Sequence, residues 1–383
     1  MADLMDICVH HAVSGDLIAE VWLTPADTVR VLRQTVQEAA GSDQISPGIV
    51  LRFLFEARVL QDHESIEATG LHAGAIVSML RVPHKQVVTA CQDRRARIWN
   101  IERGECLATL SGHNSGVSFA TYSPDGLLLL TASEDCTARL WNSETGECVR
   151  SLSGHHAPLN CAAFSGDGSL VLTASADCRA HVWCTEDGTC LHTLVNGREV
   201  CSAMFSPNDN TLVIVASFDN TVKMWQLAES DCTLIQTVSG HTAPVAFATF
   251  SPDGTKVLSA SFDHTAKIWS FRSSDRACRC LQTLDEHREP VPFAAFSQDG
   301  SMVVTVSVDK TAKIWDVVTG DCLQTLVGHR GELCSAAFSA DGLHLVTGSE
   351  DCTAKLWSVE TGVCTHTLSG HKGWVQSVAF SPV

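Results

Sequence analysis

A mainly β fold, a seven-bladed β-propeller preceded by a small α+β domain, follows from three observations on the sequence. Tryptophans stand at Trp99, Trp141, Trp183, Trp225, Trp269, Trp315 and Trp357, separated by 42, 42, 42, 44, 46 and 42 residues. A period in the low forties is that of a four-stranded propeller blade. Within each period, short apolar runs alternate with turn residues at spacings too tight for helices. Residues 1–83 share neither the period nor its landmarks.

In that first stretch, Met5 to Val9 and Leu17 to Leu23 read as two strands joined through Ser14-Gly15 as a hairpin. Val29, Leu32 and Val36 stand at i, i+3 and i+7, the stripe of a helix that Asp27 or Thr28 caps and Gly41 ends. After Pro47 come VLRFLFEARVLQD, Val50 to Asp62, and a last strand from Ala75 to Val82. Strand, strand, helix, strand, strand is the β-grasp order. PADTVRVLRQTV, RFLFEARVLQD and IVSMLRV resemble the helix start, the central hairpin and the last strand of ubiquitin. The resemblance implies a ubiquitin-like domain over residues 1–83. Its recognition patch falls on Ala12, Leu54 and Leu80, and two of the three keep apolar bulk. Leu54 and Leu80 are then either a docking patch or apolar residues that pack on the propeller or scatter over the surface. Arg81-Val82-Pro83 runs straight onward in place of a free Gly-Gly tail, so this copy is not expected to be conjugated to other proteins.

The repeating unit is clearest from Gly112 to Trp141. Val117 to Tyr122 gives strand a, and Ser123-Pro124-Asp125-Gly126 turns, with Pro presetting φ and Gly tolerating φ > 0. Leu127 to Ser133 is a buried strand b, Glu134-Asp135 a turn, Thr137 to Trp141 strand c, and Cys148 to Leu152 strand d. Such a sheet has two apolar faces and must pack against a neighbour on each side. Ala120, Ala162, Ala203, Ala248, Ala294 and Ala336 recur in strand a, where inner strands crowd toward an axis.

With a Gly-His before strand a and a Trp closing strand c, the chain resembles the WD40-repeat family over roughly three quarters of its length. The resemblance implies a supporting hydrogen-bond network linking that His, a Ser or Thr ending strand b, the turn Asp and the Trp. This sequence offers His113, Ser133, Asp135 and Trp141; His155, Ser175, Asp177 and Trp183; His241, Ser261, Asp263 and Trp269; His287, Ser307, Asp309 and Trp315; and His329, Ser349, Asp351 and Trp357. The unit ending at Trp225 keeps Ser217 and Asp219 but has Arg198 where His would fall, so it is expected to be the loosest. Ser, His and Asp invite a hydrolase reading, yet their repetition at equivalent positions makes them structural, because a triad needs one exposed nucleophile and an oxyanion site. No catalytic residue is expected.

Residues 84–383 hold the propeller, and both ends of that stretch build its first blade. VVTACQDRRARIWN from Val87 supplies strands b and c, with Cys91 in place of Ser, but no strand a precedes it. GHKGWVQSVAFSPV supplies a seventh His, His371, and a strand over 374–380 that closes the ring. A domain feeding directly into strand b is expected on the rim of the a–b loops, which leaves the rim of the d–a and b–c loops open.

On the open rim stand the residues before each turn Asp and before each strand a. Phe218, Phe262, Val308, Pro244, Pro290 and Pro292 form an apolar arc over three adjacent blades, flanked by Glu199 and Glu332, with Trp374 further round. Exposed aromatics with an acidic border suit a peptide. Alternatively each Phe caps its own blade.

Composition narrows the function. The net charge of −17 divides as 5 basic and 11 acidic residues over 1–83 and 21 and 32 over the rest, with no Lys/Arg cluster to neutralise phosphates, so direct nucleic-acid binding is not expected. No apolar run approaches a membrane span, no secretory signal opens the chain, and a cytoplasmic or nuclear location follows. Seventeen cysteines recur in register, as Cys106, Cys148, Cys190, Cys322 and Cys364 at strand d and Cys136, Cys178 and Cys352 after the turn Asp, which points to packing in a reducing compartment. Cys278-Arg279-Cys280 alone is too little for zinc. No metal, cofactor or small-molecule substrate is expected, and no glycine loop or nucleophile motif interrupts the array to suggest an enzyme. The partners are other proteins or peptide segments. Two roles fit: an adaptor in the ubiquitin–proteasome system, or an assembly factor resembling the ribosome-biogenesis WD-repeat proteins or serving another large complex, with the small domain as docking module.

Overall fold

The computed structural model describes residues 5–11, 17–27, 29, 31–32, 35–36, 49–55, 58–60, 65–73, 75–83, 86–228, 231–272 and 277–382. The chain divides between residues 84 and 85 into two compact units. Among the described residues no helix is long and apolar enough to cross a membrane.

The first unit is one mixed sheet. Strands β1 (Met5–His11), β2 (Leu17–Leu23), β3 (Ile49–Phe55), β4 (Arg58–Val59) and β5 (Ala75–Pro83) lie in the order β2-β1-β5-β3-β4. The central pair, β1 and β5, is parallel, and the others are antiparallel. Alternation sets the buried face: Ile7 and Val9 on β1, Val21 and Leu23 on β2, Phe53 on β3 and Val77 on β5. The helical residues Val29, Leu32 and Val36 complete this core with their apolar stripe. Asp27 accepts hydrogen bonds from the Thr24 N–H and hydroxyl just before them. Ser14, Gly15, Thr28 and Gly41, the expected turn, alternative cap and helix end, lie outside the described residues. A one-turn helix, Ile66–Thr69, is capped by Ser65 and ended by Gly70 at φ 82°. Its single apolar turn is too short to announce itself by periodicity.

The second unit is seven four-stranded antiparallel sheets. Six are continuous in sequence. The seventh pairs Val375–Phe380 with Gln86–Cys91, followed by Arg95–Asn100 and Glu105–Ser111, and is blade 1 here. Ser381 N–H bonds the Gln86 carbonyl at 2.9 Å, and Gln86 N–H the Ser381 hydroxyl at 3.1 Å. Inner strands touch in succession from Val375–Phe380 through Val117–Tyr122 to Leu333–Phe338, which meets Val375–Phe380 again, so the ring is closed. Small residues permit this crowding: Ala120, Ala162, Ala203, Ala248, Ala294 and Ala336 are at most 1% exposed. Side chains also cross between inner strands, as where the Ser202 hydroxyl accepts from Ala248 N–H at 3.0 Å.

Strand b is the most buried element of each blade. In blade 2 every residue from Leu129 to Ser133 is fully buried, and blade 5 repeats this from Val257 to Ser261. After the turn Asp, one residue takes positive φ in every blade: Arg94, Cys136, Cys178, Asn220, His264, Lys310 and Cys352, at 65–70°. The Asp carboxylate secures this turn by accepting the N–H two residues on, as from Thr137 to Asp135 at 3.0 Å.

Candidate functional site

The histidine network was the first candidate for chemistry. In blade 2 His113 Nδ1 lies 2.9 Å from Asp135 Oδ2, and Nε2 lies 2.7 Å from Thr131 Oγ1. A carboxylate only accepts, so Nδ1 donates to it and Nε2 accepts the threonine proton. Trp141 Nε1–H then donates to the same threonine oxygen at 2.8 Å. The chain thus runs Asp135, His113, Thr131, Trp141, and recurs through Thr173 in blade 3, Ser259 in blade 5, Thr305 in blade 6 and Thr347 in blade 7.

The bridging hydroxyl is therefore not the serine the sequence suggested. Ser133, Ser175, Ser261, Ser307 and Ser349 sit two residues further along strand b, on the same face but past the reach of the indole. Each instead receives the backbone N–H of its turn Asp, at 3.0–3.1 Å, and four of them donate to d–a loop carbonyls: Ser133 to Gly116, Ser175 to Pro158, Ser261 to Pro244 and Ser307 to Glu289. Cys91 does the same in blade 1, donating to the Gly373 carbonyl and accepting from Asp93 N–H. The true bridge was signalled by a constant offset, ten residues before each Trp.

Burial lowers the pKa of His113, His155, His241, His287 and His329, outweighing the upward pull of their aspartates. For the aspartates, burial pushes up but hydrogen bonds win, bringing Asp135 and Asp351 to about 2. A neutral His clamped between a carboxylate and a fully buried hydroxyl has no access to substrate, which makes this network structural.

Two blades depart from the pattern. In blade 1 the Arg97 guanidinium stands between Asp93 and His371, bonding both, while His371 Nε2 and Trp99 Nε1 meet at Thr89. Burial and then Arg97 drive the His371 pKa down to about 4, against Asp93. In blade 4 Val215 replaces the hydroxyl, and among the described residues Trp225 Nε1 is buried without a partner. Lys223 pairs with Asp219 there and bonds Asn196, whose amide donates to Ser217 at 2.7 Å.

Two groups bring possible metal donors within 4.8 Å of one another: Cys91, Asp93 and His371, and His155, Asp177 and His181. Both nitrogens of His371 and of His155 are already engaged, and Arg97 sets a fixed cation inside the first group. A metal would have to displace these bonds, so both groups serve the folded network.

The rim of the d–a and b–c loops is organised by a second repeating contact. The residue before each turn Asp donates its N–H to the carbonyl just ahead of strand a. The pairs are Gln92 to Trp374, Glu134 to Gly116, Ala176 to Pro158, Phe218 to Glu199, Phe262 to Pro244, Val308 to Pro290 and Glu350 to Glu332, at 2.9–3.0 Å. The fold therefore brings the sequence-selected residues onto one rim. Phe218 is 48% exposed, Phe262 37% and Trp374 47%, so these rings do not vanish into their own blades. The Phe218 and Phe262 ring centroids lie 6.5 Å apart and tilted. Val308, Pro244, Pro290 and Pro292 are half-buried around them. Within this rim lies a cavity of about 290 Å³ lined by Gln92, Glu134, Asn160, Phe247, Phe293 and Gln376.

In the small unit, the backbone places Leu54 opposite Ser78 and Leu80 opposite Arg52, while their side chains lie outside the described residues. Trp22 and Ile76 are 58% and 60% exposed on the face away from the core, a surface that sequence reasoning missed. Their places in alternating strands were the available signal.

The family profile described as WD domain, G-beta repeat matches residues 104–142, 146–184, 188–226, 232–270, 278–316, 320–358 and 362–383. The chain belongs to the WD40-repeat family. Each matched repeat holds strand d of one blade and strands a to c of the next, so every WD40 repeat staples two sheets together. The seventh stops after strand a because its strands b and c are Gln86–Cys91 and Arg95–Asn100. WD40 repeats generally serve as protein-interaction scaffolds, binding other proteins or peptides, and are typically non-enzymatic. No curated protein matches the chain significantly.

Proposed function

We propose that this chain is a non-enzymatic scaffold whose propeller holds a peptide or protein segment on the rim of the d–a and b–c loops. One observation carries the reading. Phe218 and Phe262 stand exposed and side by side on adjacent blades, where burial by a partner would release apolar surface from water. Val308, Pro244, Pro290, Pro292 and Trp374 extend the contact. The test is affinity purification of the intact chain beside a Phe218→Ala/Phe262→Ala variant of equal melting temperature. Loss of specific partners from the variant is expected, and an unchanged partner set removes this surface.

The first unit is read as a ubiquitin-like domain serving as a docking module. Its β2-β1-β5-β3-β4 order with a parallel central pair supports that reading. With Leu54 and Leu80 as its contact residues the chain acts as an adaptor in the ubiquitin–proteasome system, in the cytoplasm or nucleus, and binding to ubiquitin-receptor domains that Leu54→Ala/Leu80→Ala abolishes is the expected result. Co-sedimentation with pre-ribosomal particles in place of that binding would instead favour the assembly-factor role.

A further inference from the structure

The rim is chemically divided, and its second half says what kind of segment fits. Blades 4 to 6 present Phe218, Phe262 and Val308, with Glu199 beside Phe218 bonded by the Asn160 amide, whereas blades 7, 1 and 2 present Glu350 with Glu332, Trp374 with Gln92, and Glu134. Glu350 N–H is bonded to the Glu332 carbonyl, which fixes the two acidic residues side by side. Burial and then the Glu332 charge raise the Glu350 pKa. Among the described residues neither carboxylate has an ion-pair or hydrogen-bond partner. Arg330 and Lys372 stand near in sequence, but their backbone N–H groups serve Asp351 and Asp93, and neither side chain pairs with these glutamates. Among the described residues Glu134 is held only by the neutral donors Gln92 and Ser115. Trp374, half exposed on blade 1 with its carbonyl bonded to Gln92 N–H, adds an aromatic residue to the same half of the rim.

Resting on the reading of this rim as a peptide site, we infer that its ligand is a basic, amphipathic peptide segment. A Lys or Arg side chain seats between Glu332, Glu350 and Trp374, and an apolar side chain seats on the Phe218–Phe262–Val308 arc. Like charges held together without a counterion are relieved by an incoming cation, which also gains from the indole face. The chain's net charge of −17 draws such segments in and turns acidic ones away. The apolar arc supplies burial and the acidic half supplies selection.

The test uses the intact chain and fluorescein-labelled pools of short degenerate peptides, each with one fixed Leu or Phe and a second fixed position carrying Arg, Lys, Gln or Glu. Fluorescence polarisation reads affinity for the wild type, for Glu332→Gln/Glu350→Gln and for Phe218→Ala/Phe262→Ala, with melting temperatures checking the fold. Arg or Lys pools are expected to bind about tenfold or more tighter than the Gln pool, a margin that shrinks with salt. The glutamine variant is expected to lose that margin yet keep binding to the Gln pool. An equal Arg-over-Gln margin in wild type and glutamine variant overturns the cation site while leaving the rim as a peptide surface. Binding unaffected by the phenylalanine variant in every pool overturns the rim itself, and so does binding to none of the pools.

Discussion

Blades 4 and 5 are neighbours grown from one sequence pattern, and they differ in a single chain of hydrogen bonds. In blade 5 Asp263, His241, Ser259 and Trp269 are linked at 2.7–2.8 Å. In blade 4 Val215 takes the place of Ser259, no His is present, and the Trp225 indole N–H is left without a partner. Both blades nevertheless have a buried strand b and the same four-stranded pairing. Apolar burial of strand b therefore suffices to make the blade. The polar chain does a narrower job, tying the loop before strand a to the b–c turn and satisfying the indole. Blade 4 keeps the first tie by another route, through Asn196 to Ser217 and Lys223 to Asp219, and forgoes the second.

The severest break removes the ring on which both blades depend. Deleting Trp374 to Val383 strips blade 1 of its inner strand, including Val375 and Val378 at 0% and 3% exposure. Each buried valine contributes about 1.5–3 kcal/mol, and two neighbouring sheets would lose cover as well. Against a typical net stability of about 5–15 kcal/mol, the expected result is loss of the wild-type cooperative melt, followed by calorimetry. Retention of the same transition would show that ring closure contributes nothing.

A second change turns blade 5 into a copy of blade 4. Ser259→Val removes the shared hydroxyl and leaves both His241 Nε2 and Trp269 Nε1 buried without partners. At about 1–3 kcal/mol for each orphaned group, chemical denaturation is expected to show a loss of about 2–5 kcal/mol. A cost below about 1 kcal/mol would mean that the polar chain adds little even where it is complete.

Acid sharpens the same contrast, because blade 4 lacks the histidine. His371 is held at about 4 by burial and Arg97, and His181 at about 4 by burial and the nearby His155. An unfolded histidine titrates near 6.5. Between that value and about 4 the unfolded chain binds protons that the folded chain refuses, so stability is full above pH ~6.5 and falls as pH drops through the window. Each of these two residues accounts for a loss on the order of 3 kcal/mol. Melting temperatures followed across the window should fall less steeply in His371→Asn than in the wild type. Parallel curves would assign the acid sensitivity elsewhere.

Much of this was legible in the residues. The spacing of His113, Asp135 and Trp141 located the ends of the hydrogen-bond chain, and the lone strand at 374–380 pointed to its partner around Val87. What the sequence obscured was the middle link. Thr131 and Ser133 lie two apart on one face of a strand, both carry hydroxyls, and alternation cannot separate them. The pairing of strands b and c decides it: Trp141 stands opposite Leu129, which puts Thr131 two residues along the strand, within reach of the indole, and Ser133 four. Arg97 was hidden for a similar reason, since six blades carry Arg or Lys at that strand-c position and, among the described residues, only in blade 1 does the cation bond the histidine. On the rim, residue types were readable but their pairing was not, because the contacts run through backbone atoms that carry no side-chain signature.

The mildest change runs in the opposite direction, from blade 4 toward blade 5. Val215→Thr places a hydroxyl ten residues before Trp225, the offset at which every other blade bridges. The new oxygen can accept the orphaned indole N–H, and with no histidine to receive it the proton can go to the Lys223 carbonyl, the counterpart of the Arg139 carbonyl that lies 3.5 Å from Thr131 Oγ1. Burying the hydroxyl carries a desolvation cost that these two bonds offset. The net gain expected from chemical denaturation is about 1 kcal/mol, roughly a third of the loss from Ser259→Val. The asymmetry follows from the missing histidine, since blade 4 has one orphan to satisfy where blade 5 would have two. Destabilisation by Val215→Thr would show that blade 4 has settled around an apolar strand b too tightly to take the link back.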